Sequence, residues 1–135
     1  MALAGMSVQA GFRLDIEGQR YWADQLASIS PRDPWLPALP AAEGTALFGL
    51  ERYEECVEVT TRAIQAVPEI SSVWRLRAAS LEMLDRHEDA CAVVNEIHER
   101  FPADRAWYEA NLTRFGTDEA WDRYRAALRS AGIPI

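Results

Sequence analysis

After Pro40, apolar residues recur at intervals of three and four along most of the chain. The windows are Ala42–Leu50, Tyr53–Val67, Val73–Leu84, Glu88–Phe101, Ala106–Phe115 and Asp118–Ser130, and each predicts a helix with one apolar face. Pro68 and Pro102 stop two of these helices, because proline lacks the amide a helix interior needs. Gly116 and Gly132 stop two others. Short turns between such elements predict antiparallel helix pairs.

Ahead of Pro40 the pattern changes. Val8, Ala10, Phe12, Leu14 and Ile16 alternate with other residues, and a period of two predicts a strand. No second alternating run exists to pair with it, so an extended arm is expected. Asp15 reads as the N-cap of a helix over Ile16–Ile29, in which Trp22, Leu26 and Ile29 share a face and Gly18 is the weak point. Pro31, Pro34, Pro37 and Pro40 then recur every third residue, the repeat of a polyproline II helix. The expected role is a stiff linker, with Pro40 opening the next helix and Trp35, Leu36 and Leu39 packing; the alternative is a ligand for an aromatic groove. The expected division is residues 1–36 as an N-terminal arm, helix and proline-rich linker, and residues 37–135 as a helical repeat domain.

The chain matches itself at an offset of thirty-four residues. Leu50-Glu51-Arg52-Tyr53-Glu54-Glu55-Cys56 falls on Leu84-Asp85-Arg86-His87-Glu88-Asp89-Ala90, each pair identical or alike in kind, and Pro68 falls on Pro102. Within Ser71–Asp104, Trp74, Ala78, Leu81, Ala90, Val94, Ile97 and Pro102 follow one order of large and small residues. In the preceding stretch Gly44, Leu47, Cys56, Ala63 and Pro68 stand opposite Ala78, Leu81, Ala90, Ile97 and Pro102, while Pro40 stands where the Trp is and Thr60 where Val94 is. Trp107, Leu112 and Phe115, then Ala120, Tyr124, Ala127 and Leu128, make a shortened third copy.

This length and pattern resemble the tetratricopeptide family over roughly the last hundred residues. The resemblance implies an all-α fold of antiparallel helix-pair repeats, a short right-handed superhelix of about three repeats. Small residues at Gly44, Ala78, Cys56 and Ala90 would let paired helices approach, while Trp74, Leu81, Tyr53 and Val94 fill the space around them. The last helix is amphipathic and reads as a solvated cap.

In that family the first helices of successive repeats line a concave groove that holds a peptide or partner helix. By position, the lining implied here is Phe48, Arg75, Ala79, Glu82, Glu109 and Thr113. The version that clamps a chaperone's terminal carboxylate uses Lys and Asn. This chain has no Lys, and Thr45 and Ala79 stand where Asn is needed, which leaves Arg75 to grip a carboxylate. The implied function is a protein–protein interaction module, an adaptor or scaffold. Its alternatives are a dedicated secretion-type chaperone and a self-assembling structural subunit, the latter a homodimer through the N-terminal arm or terminal helices.

Composition narrows the rest. A net charge of −7 on 135 residues disfavours nucleic acid as a partner. All fourteen cationic residues are Arg, which excludes Schiff-base chemistry on Lys and fits a GC-rich bacterial genome. No apolar run is long enough to span a membrane, and the start lacks the marks of a signal peptide, so a cytoplasmic protein with reduced Cys56 and Cys91 is expected. His87, Cys91 and His98 stand at i, i+4 and i+11 of one helix; zinc needs three or four converging ligands, so packing or surface roles are expected and no metal. There is no phosphate loop, Cys-x-x-Cys or nucleophile elbow, so neither a cofactor nor catalysis is expected. Glu51, Glu54, Glu55 and Glu58 fit a solvated first turn, and Trp22, Trp35, Trp74, Trp107 and Trp121 are read as core residues first.

Overall fold

A computed structural model describes residues 2–106 and 114–135. The expected helix Ala106–Phe115 lies largely outside them, as does Trp107. The described elements are α1 (Ala2–Phe12), α2 (Ile16–Ile29), α3 (Leu39–Gly49), α4 (Tyr53–Ala66), α5 (Ser71–Met83), α6 (His87–Arg100) and α7 (Asp118–Ala131), with short 3-10 turns at Leu36–Ala38 and Pro102–Ala106. Among the described residues there is no strand, and the fold is all-α with neighbouring helices packed in pairs.

The thirty-four-residue offset is present in the backbone. α4 and α6 begin and end at equivalent positions, Tyr53 with His87 and Ala66 with Arg100. Each is preceded by a turn in which a non-glycine residue takes a left-handed conformation, Glu51 at φ 61° and Asp85 at φ 59°. In both turns an arginine amide reaches back to a leucine carbonyl, Arg52 to Leu47 at 2.8 Å and Arg86 to Leu81 at 2.9 Å. These bonds satisfy carbonyls that the end of a helix leaves open. Within the first pair, Gly44 sits against Thr60 and Cys56, and the Cys56 thiol donates to the Gly44 carbonyl at 3.4 Å. In the second, Ala78 and Ala90 are fully buried. Close approach at small residues is what these positions provide.

The alternating segment at residues 8–16 is not a strand. It runs through α1, a turn with Leu14 at φ 62°, and the start of α2. The buried residues of α1 are Ala4, Ser7, Ala10 and Gly11, a helical spacing of small side chains that overrides the period of two. α1 packs against α2 and α3. Asp15 caps α2, its carboxylate accepting from the Gly18 amide at 2.9 Å. The four prolines form no polyproline II helix either. Asp33 accepts from the Trp35 amide at 2.9 Å to make a turn, Leu36–Ala38 is a 3-10 turn, and Pro40 lies in the first turn of α3. Leu39 packs as expected, but Trp35 is exposed, and Ile29 does not join Leu26 in the core.

One apolar core runs through α3 to α7, centred on Leu47, Phe48, Leu81, Ile97 and Leu128. A smaller one, Ala4, Leu26 and Leu39, fastens the α1–α2 hairpin to α3. Trp74 is buried, and its indole N–H donates to the Pro68 carbonyl at 2.9 Å. α7 buries Ala120, Tyr124, Ala127, Leu128 and Ala131 on one face, is capped by Thr117 accepting from the Ala120 amide at 3.1 Å, and ends at Gly132 with φ 114°.

Candidate functional site

The first helices of the two pairs, α3 and α5, pack side by side. Their shared face is the surface on which sequence reasoning placed a binding groove. In the folded chain the protein's own helices pack against both members: α1 against α3, and α7 against α5 and, more lightly, α3. Between these helices remains a cavity of about 300 Å³. Its walls include Val8 and Phe12 of α1, Ala42 of α3, Leu76 of α5, Phe115 ahead of α7 and Tyr124 of α7.

α1 fits this face because it presents almost no side chain to it. The nearest approach is at Gly11, where a Cβ would stand 2.5 Å from the Ala42 carbonyl oxygen. No side chain is tolerated at that distance unless the two helices separate. Ser7 and Gln19 tie the same corner together. The Ser7 hydroxyl donates to the Gln19 carbonyl at 3.0 Å, and the Gln19 amide donates to Ser7 at 3.2 Å and to the Leu39 carbonyl at 3.3 Å. Leu14 fills the space over Gly49 and Gly116, and the Gly116 amide donates to the Phe12 carbonyl at 2.8 Å.

The expected lining residues divide. Phe48 and Ala79 are fully buried. Phe48 stands among Tyr53, Tyr124 and Phe115, with ring centroids 5.2, 5.4 and 6.3 Å away. Arg75, expected as an exposed grip for a carboxylate, is only 5% exposed. It already holds a carboxylate of this chain: Nη1 of its guanidinium donates to Asp104 at 3.2 Å and to the Ser71 hydroxyl at 3.2 Å. It also lies beside Tyr124, whose hydroxyl is pushed up from the ordinary tyrosine value by burial, with Arg75 opposing the shift. Arg75 is thus part of the packed structure: a buried cation needs its partner, and the partner needs it. Glu82 is half-buried, and its carboxylate meets His87 and accepts from the Ser130 hydroxyl. Glu109 and Thr113 lie outside the described residues.

Cys56 is buried beneath Gly44, and burial pushes its thiol up to about 12. His87 is exposed and Cys91 half-exposed on α6. No group of three or more His, Cys, Asp or Glu among the described residues has the arrangement to hold a metal ion. No described helix is long and apolar enough to cross a membrane.

Sequence reasoning missed the packing of α1 against α3. The available signal was the recurrence of Ala4, Ser7 and Gly11 at three and four, a helical stripe of small residues masked by the alternation from Val8 onward. Neither a family model, nor a curated protein, nor a solved structure matches this chain.

Proposed function

We propose that this chain is a short tetratricopeptide-like module, acting in the cytoplasm, that binds a partner protein through the α3–α5 face, and that α1 occupies this face at rest. The observation that carries the reading is the seat of α1 itself. A helix with a small-residue edge packs on α3, and on this reading it stands in for a helix of the partner. The partner class follows from the fit: a helix that presents Ala, Ser or Gly at intervals of three and four, because Ala42 leaves no room for more. The cavity of about 300 Å³ next to α1 would accept one larger apolar side chain of that helix. The resting arrangement keeps an apolar face out of water until a competitor arrives.

The test uses the full-length chain. Gly11→Leu puts a side chain against the Ala42 carbonyl and loosens α1, without altering α3 or α5. A fluorescent peptide copying residues 2–14 should not bind the wild type, where the tethered helix outcompetes it by effective concentration, and should bind Gly11→Leu at micromolar levels. Proteolysis after Arg13 reports independently that α1 has been released. Released α1 with no peptide binding, in a chain that keeps its helical circular dichroism, refutes the reading.

A further inference from the structure

We propose that the cavity between α1, α3, α5 and α7 binds a small, uncharged, mostly apolar ketone or ester. The inference goes beyond the partner-binding reading, because the site is built with α1 in its seat and needs no partner helix. Three helices supply apolar walls, with Val8 and Phe12 from α1, Ala42 from α3 and Leu76 from α5. A wholly apolar cavity of about 150 Å³ stays dry and takes a benzene molecule. The cavity here, at about 300 Å³, therefore has room for roughly a dozen heavy atoms.

Two buried polar residues, Arg75 of α5 and Tyr124 of α7, interrupt this apolar lining. The Arg75 guanidinium lies beside the Tyr124 hydroxyl, and its charge and hydrogen bonding oppose the upward pull of burial on the phenol. An arginine has donors only, so the phenol oxygen is the acceptor in that contact. The phenol keeps its own O–H to donate, and accepting from a cation strengthens it as a donor. Thr45 also lines the cavity, but its hydroxyl already donates to the Ala41 carbonyl at 2.7 Å. The site therefore pairs an apolar enclosure with one donor that calls for an acceptor.

Charge narrows the class. Arg75 is the one cation among the described lining residues, and Asp104 already balances it at 3.2 Å. A ligand carboxylate would bring a second negative charge to that pair with no second cation to meet it. A ligand hydroxyl or amide N–H would add a donor that needs its own acceptor. A ketone or ester carbonyl only accepts, so the Tyr124 O–H satisfies it and the walls take the rest of the molecule.

The probe is acetophenone, added to the full-length protein and followed through the methyl NMR signals of Val8 and Leu76. Saturable shifts at both are expected in the wild type, where α1 is seated, so the result is separate from the test of partner binding. Isopropylbenzene, similar in shape without the oxygen, and benzoate, its charged counterpart, are the controls. Tyr124→Phe should weaken acetophenone at least about fivefold, the scale of an acceptor left without its donor, and leave isopropylbenzene unchanged. Retained isopropylbenzene binding also shows that this variant is folded. Ala41→Leu, at a half-buried position of the cavity wall, should abolish binding of both while the helical circular dichroism is kept. Benzoate should bind at least about tenfold more weakly than acetophenone. Absent or unsaturable shifts in the wild type overturn the proposal. So do equal losses of acetophenone and isopropylbenzene in Tyr124→Phe, binding that survives Ala41→Leu, or benzoate binding as tightly as acetophenone.

Discussion

Arg75 should be a folding residue of the first order, and its removal measures how far burial dominates this fold. Its side chain is 6% exposed and that of Asp104 is 21% exposed, with 3.2 Å between the charged atoms. At an effective dielectric constant of about 20, the attraction at this separation is on the order of 5 kcal/mol. Asp104 keeps some contact with water, so Arg75→Met should cost less than that, about 3 kcal/mol, near the lower end of the range for breaking a buried pair. Arg86 and Glu54 provide the internal control. They lie 3.4 Å apart at 46% and 62% exposure, and Arg86→Met should cost no more than about 1 kcal/mol. The assay is urea unfolding followed by tryptophan fluorescence, with the slope checked for constancy between variants. Adding Asp104→Leu to Arg75→Met should recover much of the loss, because it removes the carboxylate left without its cation. A cost for Arg75→Met below 1 kcal/mol, or equal to that of Arg86→Met, would refute the reasoning.

Trp74→Ala should cost roughly 3–5 kcal/mol in the same assay, because it empties a buried site and leaves the Pro68 carbonyl without its donor. A cost below 1 kcal/mol would mean the indole is not packed there. The buried thiol and phenol make a pH prediction. Both protonation equilibria are raised on folding, from 9.0 to about 12 for Cys56 and upward from 10.0 for Tyr124. The contribution of Cys56 is therefore complete below about pH 9 and is lost as the pH rises from about 9 to 12, by up to about 1.4 kcal/mol per pH unit; that of Tyr124 is complete below about pH 10 and is lost only above it. Melting temperatures should be level below pH 9 and fall above it, more gently in Cys56→Ala. A fall above pH 9 as steep in Cys56→Ala as in the wild type would remove the thiol from the account.

Much of the fold was legible because local rules and tertiary packing agree after Pro40. The windows beginning at Tyr53 and Asp118 start where α4 and α7 start, and those at Val73 and Glu88 are within two residues of α5 and α6. The α1 segment was not legible for a definite reason. Its core face is built from Ala4, Ser7, Ala10 and Gly11, which carry little hydrophobic signal, while Val8, Phe12 and Leu14 do. Arg75 failed for a related reason. A charge on a first helix reads as solvent-facing unless the sequence shows its partner, and Asp104 is twenty-nine residues away, beyond Pro102.

The Glu82–His87 contact was illegible for a different reason, which lies in the repeat. His87 and Cys91 share a helix, and their spacing of four is visible in the sequence. Glu82 sits across a turn on another helix, and no spacing rule joins it to them. The turn does, through the left-handed Asp85 and the Arg86-to-Leu81 bond. The first pair carries the same turn, and there the equivalent positions of Glu82 and His87 are Phe48 and Tyr53, whose rings meet at 5.2 Å. One backbone geometry thus brings the same two positions together twice. In the first pair the position after the first helix's last core residue is an aromatic, closed over by Phe115 and Tyr124, and the contact is buried packing. In the second pair the carboxylate is half-buried, accepts from Ser130, and meets an exposed imidazole. The repeat supplies the juxtaposition, and the local environment decides whether it is buried ring packing or a carboxylate–imidazole contact near the surface.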